Sequence, residues 1–201
     1  MAASKADPRV TPQTRLPNPR RGGSPMSFLD RIAAALAPAA SDEQRADARR
    51  QLEELSVGEP FAEDILAQHR QIEALFAEAR EAAGPGAEAA VRELAVLLNG
   101  HSMAEEAVVY PDISEHSGKA HAGMAYEEHA MTKVQLAELQ KMAPGTREWR
   151  EKLDHIESAV QQHVYQEESS WLPDVIRHAP VEERQRISME FREYFQRFDQ
   201  G

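Results

Sequence analysis

The chain contains no cysteine among its 201 residues, which excludes disulfide bridges and thiolate metal ligands. No apolar run approaches the ~20 residues of a transmembrane helix, so we expect no membrane partner. A basic excess is also missing, because 23 Lys and Arg stand against 34 Asp and Glu, a net charge of −11. A phosphate-binding surface needs the opposite sign, and we therefore expect no nucleic-acid partner.

The N-terminal part of the chain has little to bury. Residues 1–25 are rich in Pro, Arg, Gly and Ser and are predicted to form a disordered tail. Residues 26–56 are predicted to form a helical extension, in which Ser27 can cap a short first helix and Ser41-Asp42-Glu43 opens a second, polar helical stretch. A signal peptide would need an apolar region here, but Asp30 and Arg31 interrupt it, so we expect a cytoplasmic location.

Residues 57–179 show four long helical patterns and no convincing strand pattern. Their short connections predict an all-α, up-down-up-down four-helix bundle. Prolines are predicted to end two of the helices, at Pro111 and Pro173. Residues 180–201 are predicted to form an amphipathic helix whose phenylalanines either cover the bundle or contact a partner, which includes a second copy of the chain.

An internal repeat is the strongest signal in the sequence. Residues 101–116 read HSMAEEAVVYPDISEH, and residues 163–178 read HVYQEESSWLPDVIRH. Both fit H-x3-E-E-x4-P-D-[IV]-x2-H without a gap. The repeat indicates either a duplicated helical hairpin or the same chemistry selected twice.

Helical geometry explains the spacing inside each repeat. Residues four apart lie about 40° apart on one helix face, which here is also the apolar face. The pairs that share this face are His101 with Glu105 and His163 with Glu167. The next residues, Glu106 and Glu168, turn about 140° from their histidines and are predicted to face water.

Two further helices each place one histidine, His69 and His129, on an apolar stripe. A single such histidine is more often an ordinary core residue than a ligand, but the joint pattern indicates a metal site. A buried lone carboxylate is very costly, and a cation would compensate its charge. The candidate ligands are His69, His101, Glu105, His129, His163 and Glu167. They exceed the needs of one tetrahedral ion and fit two ions bridged by the two glutamates.

These motifs resemble the hemerythrin-like, or HHE cation-binding, family. The segment DILAQHRQIEALF at residues 64–76 resembles its first helix, and Glu128-His129 resembles its third. The two H-x3-E-E motifs resemble its second and fourth helices, so the resemblance covers residues 59–178. It implies a non-haem centre of two iron ions, with an oxo or hydroxo bridge as an option, and carries over the six ligands.

One ligand position departs from the family pattern. Oxygen-carrying members have a second histidine four residues before the one matched by His129, where this chain has Ala125. The replacements we consider are the phenolate of Tyr126, the carboxylate of Glu73, which stands four residues after His69, and water. Water would leave an open position for a small molecule.

The resemblance implies a protein that binds or reacts with O2, NO or peroxide, with a role in oxidative or nitrosative stress. A metal- or gas-responsive sensor and an iron-storage protein are the alternatives. The sequence shows no separate nucleophile, catalytic triad or phosphate-binding loop, so enzyme status stays open.

Overall fold

A computed structural model describes residues 39–199, with side chains through residue 197. The predicted tail and the first part of the predicted extension lie outside these residues. The helices are α1 (Asp42–Leu55), α2 (Pro60–Glu81), α3 (Pro85–Ala104), α4 (Tyr110–His116), α5 (Lys119–Leu139), α6 (Arg147–Gln166), α7 (Leu172–His178) and α8 (Val181–Asp199). Two π-helical turns, π1 (Glu105–Val109) and π2 (Glu167–Trp171), join α3 to α4 and α6 to α7.

Local sequence signals set the starts of the helices. The Ser41 side chain caps α1 and forms a reciprocal pair of bonds with Gln44. The Thr146 side chain accepts a bond from the Trp149 amide and caps α6. Pro85 occupies the first turn of α3, where its missing N–H costs no helical bond. These signals fix the connections between the helices.

Helices α2, α3, α5 and α6 form the bundle. Helix α2 packs against α3 and α6, and α5 packs against the same two neighbours. Short loops reverse the chain between successive long helices, which confirms the predicted all-α, up-down-up-down architecture. Helix α8 covers α2 and α3, and α1 lies on π2.

The predicted helix ends at Pro111 and Pro173 are wrong. Each proline lies in the first turn of the helical segment that follows a π turn. The π turn changes the hydrogen-bond register there, and a proline is tolerated in such a first turn because its nitrogen needs no helical partner. The second and fourth long helices therefore continue to His116 and His178.

Two apolar clusters fill the bundle, one on each side of a polar layer. Along α2, Leu66 belongs to one cluster and Ile72 to the other, and His69 lies between them. Along α3 and π1, Leu98 and Ala104 belong to different clusters in the same way. The polar layer is therefore enclosed by packed side chains at both ends.

The apolar stripe of α8 packs on its own bundle. Ile187 and Phe191 are fully buried, and Phe195 packs against both clusters. Of the two roles considered for this stripe, covering the bundle is the one that these residues show. None of the described helices is both long and apolar enough to cross a membrane.

Candidate metal centre

The six predicted ligands meet in the polar layer, and each is at most 6% exposed. One group contains His69, His101, Glu105 and Glu167, and a second contains Glu105, His129 and His163. Within each group, one possible ligand atom per residue lies within 4.8 Å of all the others. Glu105 belongs to both groups, so two cations sharing this carboxylate could be held here.

Each of the four imidazoles has an oxygen partner on its outer nitrogen, Nδ1. The Nδ1 atom lies 2.9 Å from Glu168 Oε1 in His69, 2.7 Å from Gln68 Oε1 in His101, 3.2 Å from Glu106 Oε1 in His129 and 2.8 Å from Glu128 Oε2 in His163. Carboxylate and amide oxygens accept hydrogen bonds, so each Nδ1 is the donor. A partner of this kind fixes the ring and leaves the Nε2 lone pair for a metal.

The inner atoms of the site lack the partners that buried polar atoms need. Glu105 Oε1 is buried and makes no hydrogen bond, and the buried His69 Nε2 and Glu167 Oε2 lie 3.2 Å apart without the geometry of a hydrogen bond. Nε2 of His129 lies 3.0 Å from Nε2 of His163. With both Nδ1 atoms acting as donors, two lone pairs face each other unless a proton or a cation lies between them. The donor set therefore fits a bound metal.

Tyr110 is a buried residue at the centre of the site that the sequence reasoning missed. Its hydroxyl lies 2.9 Å from His129 Nε2 and 3.3 Å from His163 Nε2. It donates a hydrogen bond to Glu167 Oε1 at 3.1 Å and lies 3.4 Å from Glu105 Oε2. The phenol oxygen therefore lies among four of the six predicted ligands.

The buried groups have strongly shifted pKa values. Burial raises the pKa of Glu105 well above its ordinary value, and the charge of Glu167 raises it further. Burial lowers the pKa of His69, but the adjacent carboxylates of Glu167 and Glu168 outweigh this effect and raise the pKa to about 9. Burial also lowers the pKa of His163, yet the charge of Glu167 contributes to raising it well above its usual range. Without a cation, Glu105, His69 and His163 therefore hold protons more tightly than usual.

The chain matches the family model described as the hemerythrin HHE cation binding domain over residues 61–175. The chain belongs to the hemerythrin HHE family. This membership and the buried His and Glu groups make the bundle a cation-binding module. The hemerythrin-like match begins at the start of α2 and ends in α7, so it contains all six predicted ligands.

Two curated relatives resemble this hemerythrin-like chain over about half of its length. An uncharacterized hemerythrin-like protein of Schizosaccharomyces pombe is 30% identical over 97 residues, which are 47% of this chain and 48% of that protein. A DNA nickase of Nostoc is 26% identical over 95 residues, which are 47% of this chain and 27% of that protein. No solved structure matches the chain.

The structure does not bring Tyr126 or Glu73 into the hemerythrin-like ligand groups. Tyr126 is 41% exposed, and its hydroxyl donates to the backbone oxygen of Glu106 at 2.8 Å. Glu73 forms an ion pair with Arg49, with 2.6 Å between Glu73 Oε2 and Arg49 Nη1. Ala125 is fully buried among apolar residues. Tyr110, in contrast, stacks on His129, with 5.2 Å between the ring centroids.

The expectation that Glu106 and Glu168 both face water is wrong. Glu168 is 2% exposed because α1 covers it, and Glu106 is partly buried, with an oxygen 2.9 Å from Lys133 Nζ. Both instead accept from the outer nitrogens of histidines. Their helical phase alone could not show this, since the covering residues come from other helices.

A third group of Asp112, His116 and Glu183 joins α4 to α8. Arg186 bonds both oxygens of Asp112 at 3.1 and 3.0 Å, and His116 Nε2 lies 2.8 Å from Glu183 Oε1. These contacts balance the charges without a metal ion, so we interpret this group as a structural ion-pair cluster.

Proposed function

We propose that this hemerythrin-like protein holds two non-haem iron ions and that a small oxidant, O2, NO or peroxide, binds or reacts at one of them. The observation that supports the proposal is that one nitrogen of each of the four buried histidines faces the two buried carboxylates. Imidazole and carboxylate together suit iron, and family membership favours iron over zinc or manganese.

We propose two ligand sets that share Glu105, which belongs to both groups, and Glu167, whose Oε1 also lies 3.4 Å from His163 Nε2. His69 and His101 would hold one ion with these carboxylates, and His129 and His163 would hold the other. We propose Tyr110 as the additional ligand of the second ion, at the position left without a histidine by Ala125. Its hydroxyl lies closest to the two histidines of that set.

Four protein donors would hold the first ion, and non-haem iron bound by histidines and carboxylates keeps open positions in other proteins. Iron there would supply an open coordination position for a small ligand and a means of exchanging electrons. The chain's own residues hold the imidazoles in place through their Nδ1 bonds. The apolar clusters on either side exclude water from the layer.

The test is metal analysis combined with absorption spectroscopy. Protein loaded with Fe(II) under anaerobic conditions should hold about two iron ions per chain, as in other carboxylate-bridged di-iron bundles. Its spectrum should change on addition of O2, NO or peroxide. Replacing His101 or His163 with Ala should lower the iron content, because each substitution removes a buried ligand.

His178→Ala is the matched control, because His178 ends the second repeat but lies exposed. It should leave iron content unchanged. Wild-type protein that takes up one ion or none, or that shows no spectral response to any of the three oxidants, would overturn the proposal. Rapid consumption of peroxide would in addition identify an enzyme.

A metal- or gas-responsive regulator is the second candidate. The observation that favours it is the contact between α1, outside the family match, and the outer side of the centre through Arg49. A change in the centre could reach α1 by this contact. A change in oligomeric state or partner binding upon iron loading would support this role over reaction with an oxidant.

A further inference from the structure

Arg49 of α1 reaches two carboxylates beside the candidate metal centre. Its guanidinium donates to Glu73 at 2.6 and 2.9 Å and to Glu168 Oε1 at 2.9 Å from Nη2 and 3.1 Å from Nε. The Arg49 side chain is 20% exposed, while the Glu168 side chain is 1% exposed. The planar fork of an arginine suits such a double contact, whereas a lysine would offer a single point charge.

Glu168 connects this arginine to a candidate ligand. Its Oε1 atom, the one that Arg49 contacts, also accepts the hydrogen bond from His69 Nδ1 at 2.9 Å. A buried carboxylate without a cation is costly and would protonate or move away. Arg49 therefore stabilises the charged acceptor that orients His69.

The other half of the internal repeat has a different cation. Glu106, which corresponds to Glu168, contacts Lys133 of the bundle helix α5 at 2.9 Å. The charge of Glu168 is instead balanced by Arg49 of α1. Helix α1 is anchored on the bundle by the fully buried Leu52 and by Ala48. Helix α1 lies before the family match, which starts at residue 61.

We infer that α1 is part of the metal centre and that Arg49 is a positioning residue, which holds Glu168 against His69 and thereby controls how firmly the iron bound by His69 is retained. This inference rests on the proposed function. It assigns to residues outside the family match an effect on one of the two ions. Retention of the ion proposed for His129 and His163 should depend on Lys133 instead.

The experiment is a double-mutant cycle on iron retention. Arg49→Met removes the cation and leaves a buried carboxylate unpaired, so release of Fe(II) to a chelator should become about tenfold faster, as for other outer hydrogen-bond partners of ligands. The Glu168→Gln substitution keeps an oxygen acceptor for His69 but removes the charge. The double variant Arg49→Met with Glu168→Gln should therefore release iron at nearly the wild-type rate.

Arg50→Met is the matched control, because Arg50 is the next residue of α1, lies exposed and pairs with Asp47 at 2.8 Å. It should not alter iron release. Mössbauer spectra should show that Arg49→Met changes one iron environment and that Lys133→Met changes the other. Circular dichroism and melting curves would identify a variant that does not fold.

The outcomes separate this inference from the proposed function. If wild-type protein binds no iron, the proposed function fails. If wild-type protein binds two ions and Arg49→Met releases them at the wild-type rate, only this inference fails. If the double variant releases iron as fast as Arg49→Met or faster, Arg49 serves merely to dock α1, and the inference is again overturned.

Discussion

At the scale of single residues, the centre depends on which nitrogen of each imidazole faces inward. Side-chain oxygens on α2, π1, α5 and π2 accept from the four outer nitrogens. Each acceptor prevents its ring from presenting the wrong nitrogen to the layer. Ligand identity and ligand orientation are therefore separate properties, carried by different residues.

Tyr110 provides the sharpest test at this scale. If its phenolate binds iron, Tyr110→Phe should abolish a visible phenolate-to-iron absorption band while leaving most of the iron bound, because the six other ligands remain. Absorption and resonance Raman spectra of the ferric protein would measure the band.

Tyr126→Phe is the control for this substitution. Tyr126 packs edge-to-face on Tyr110 but bonds a backbone oxygen outside the ligand groups. Its removal should leave the band in place. Loss of the band in Tyr126→Phe, and not in Tyr110→Phe, would support the sequence-based candidate and contradict the assignment of Tyr110.

At the scale of helical elements, the two π turns explain which residues of the centre could be predicted from the sequence and which could not. The residues up to Glu105 and Glu167 follow the α-helical period, so the convergence of the six candidate ligands could be predicted from spacing. Beyond these residues, π turns bond i to i+5 and change the phase of the helix. Tyr110, five residues after Glu105, would point away on a regular helix but lies in the centre here.

Burial by a distant helix is the second feature that spacing could not reveal. Glu106 and Glu168 occupy equivalent repeat positions, yet Glu168 is buried because α1 lies on π2. No local pattern around Glu168 indicates which helix covers it. The bundle and its apolar faces are encoded locally, whereas the outer contacts of the centre depend on how the added helices pack.

Helix α8 gives a prediction about stability. Phe191 is fully buried against the bundle, so Phe191→Ala should lower the free energy of unfolding by about 3–5 kcal/mol through lost burial and a new cavity. Chemical denaturation would measure the change. Met189 on the same helix is 68% exposed, and Met189→Ala should change stability by less than about 0.5 kcal/mol.

This comparison also tests the other role considered for the phenylalanine stripe. If α8 served mainly to bind a partner, the monomeric protein would lose little stability on substitution of Phe191. An equal effect of Phe191→Ala and Met189→Ala would therefore contradict the packing role.

Absence of a nucleic-acid partner and a cytoplasmic location stay predictions.

At the scale of the whole molecule, two apolar clusters enclose a layer that holds two buried carboxylates. Glu105 and Glu167 lie fully buried inside it. The raised pKa values of Glu105, His69 and His163 indicate that protons supply the missing positive charge when no metal is bound. Metal binding must displace these protons, so folding, metal occupancy and pH are coupled.

Metal removal should therefore destabilise the whole bundle. A ligand at a hundred times its dissociation constant stabilises the folded state by about 2.7 kcal/mol, and each kcal/mol raises the melting temperature of a domain this large by roughly 2–4 °C. Chelation should lower the melting temperature by a comparable amount, and added Fe(II) under anaerobic conditions should restore it.

The sign of the pH effect follows from the same coupling. His69, with a pKa of about 9 without metal, is protonated at neutral pH and must lose its proton to coordinate. Acid therefore opposes metal binding, and the shift in melting temperature on iron addition should be larger at pH 8 than at pH 6. The double variant His101→Ala with His163→Ala should show no shift at either pH. An iron-dependent shift that survives in this variant would place the stabilising ion elsewhere than between the four imidazoles.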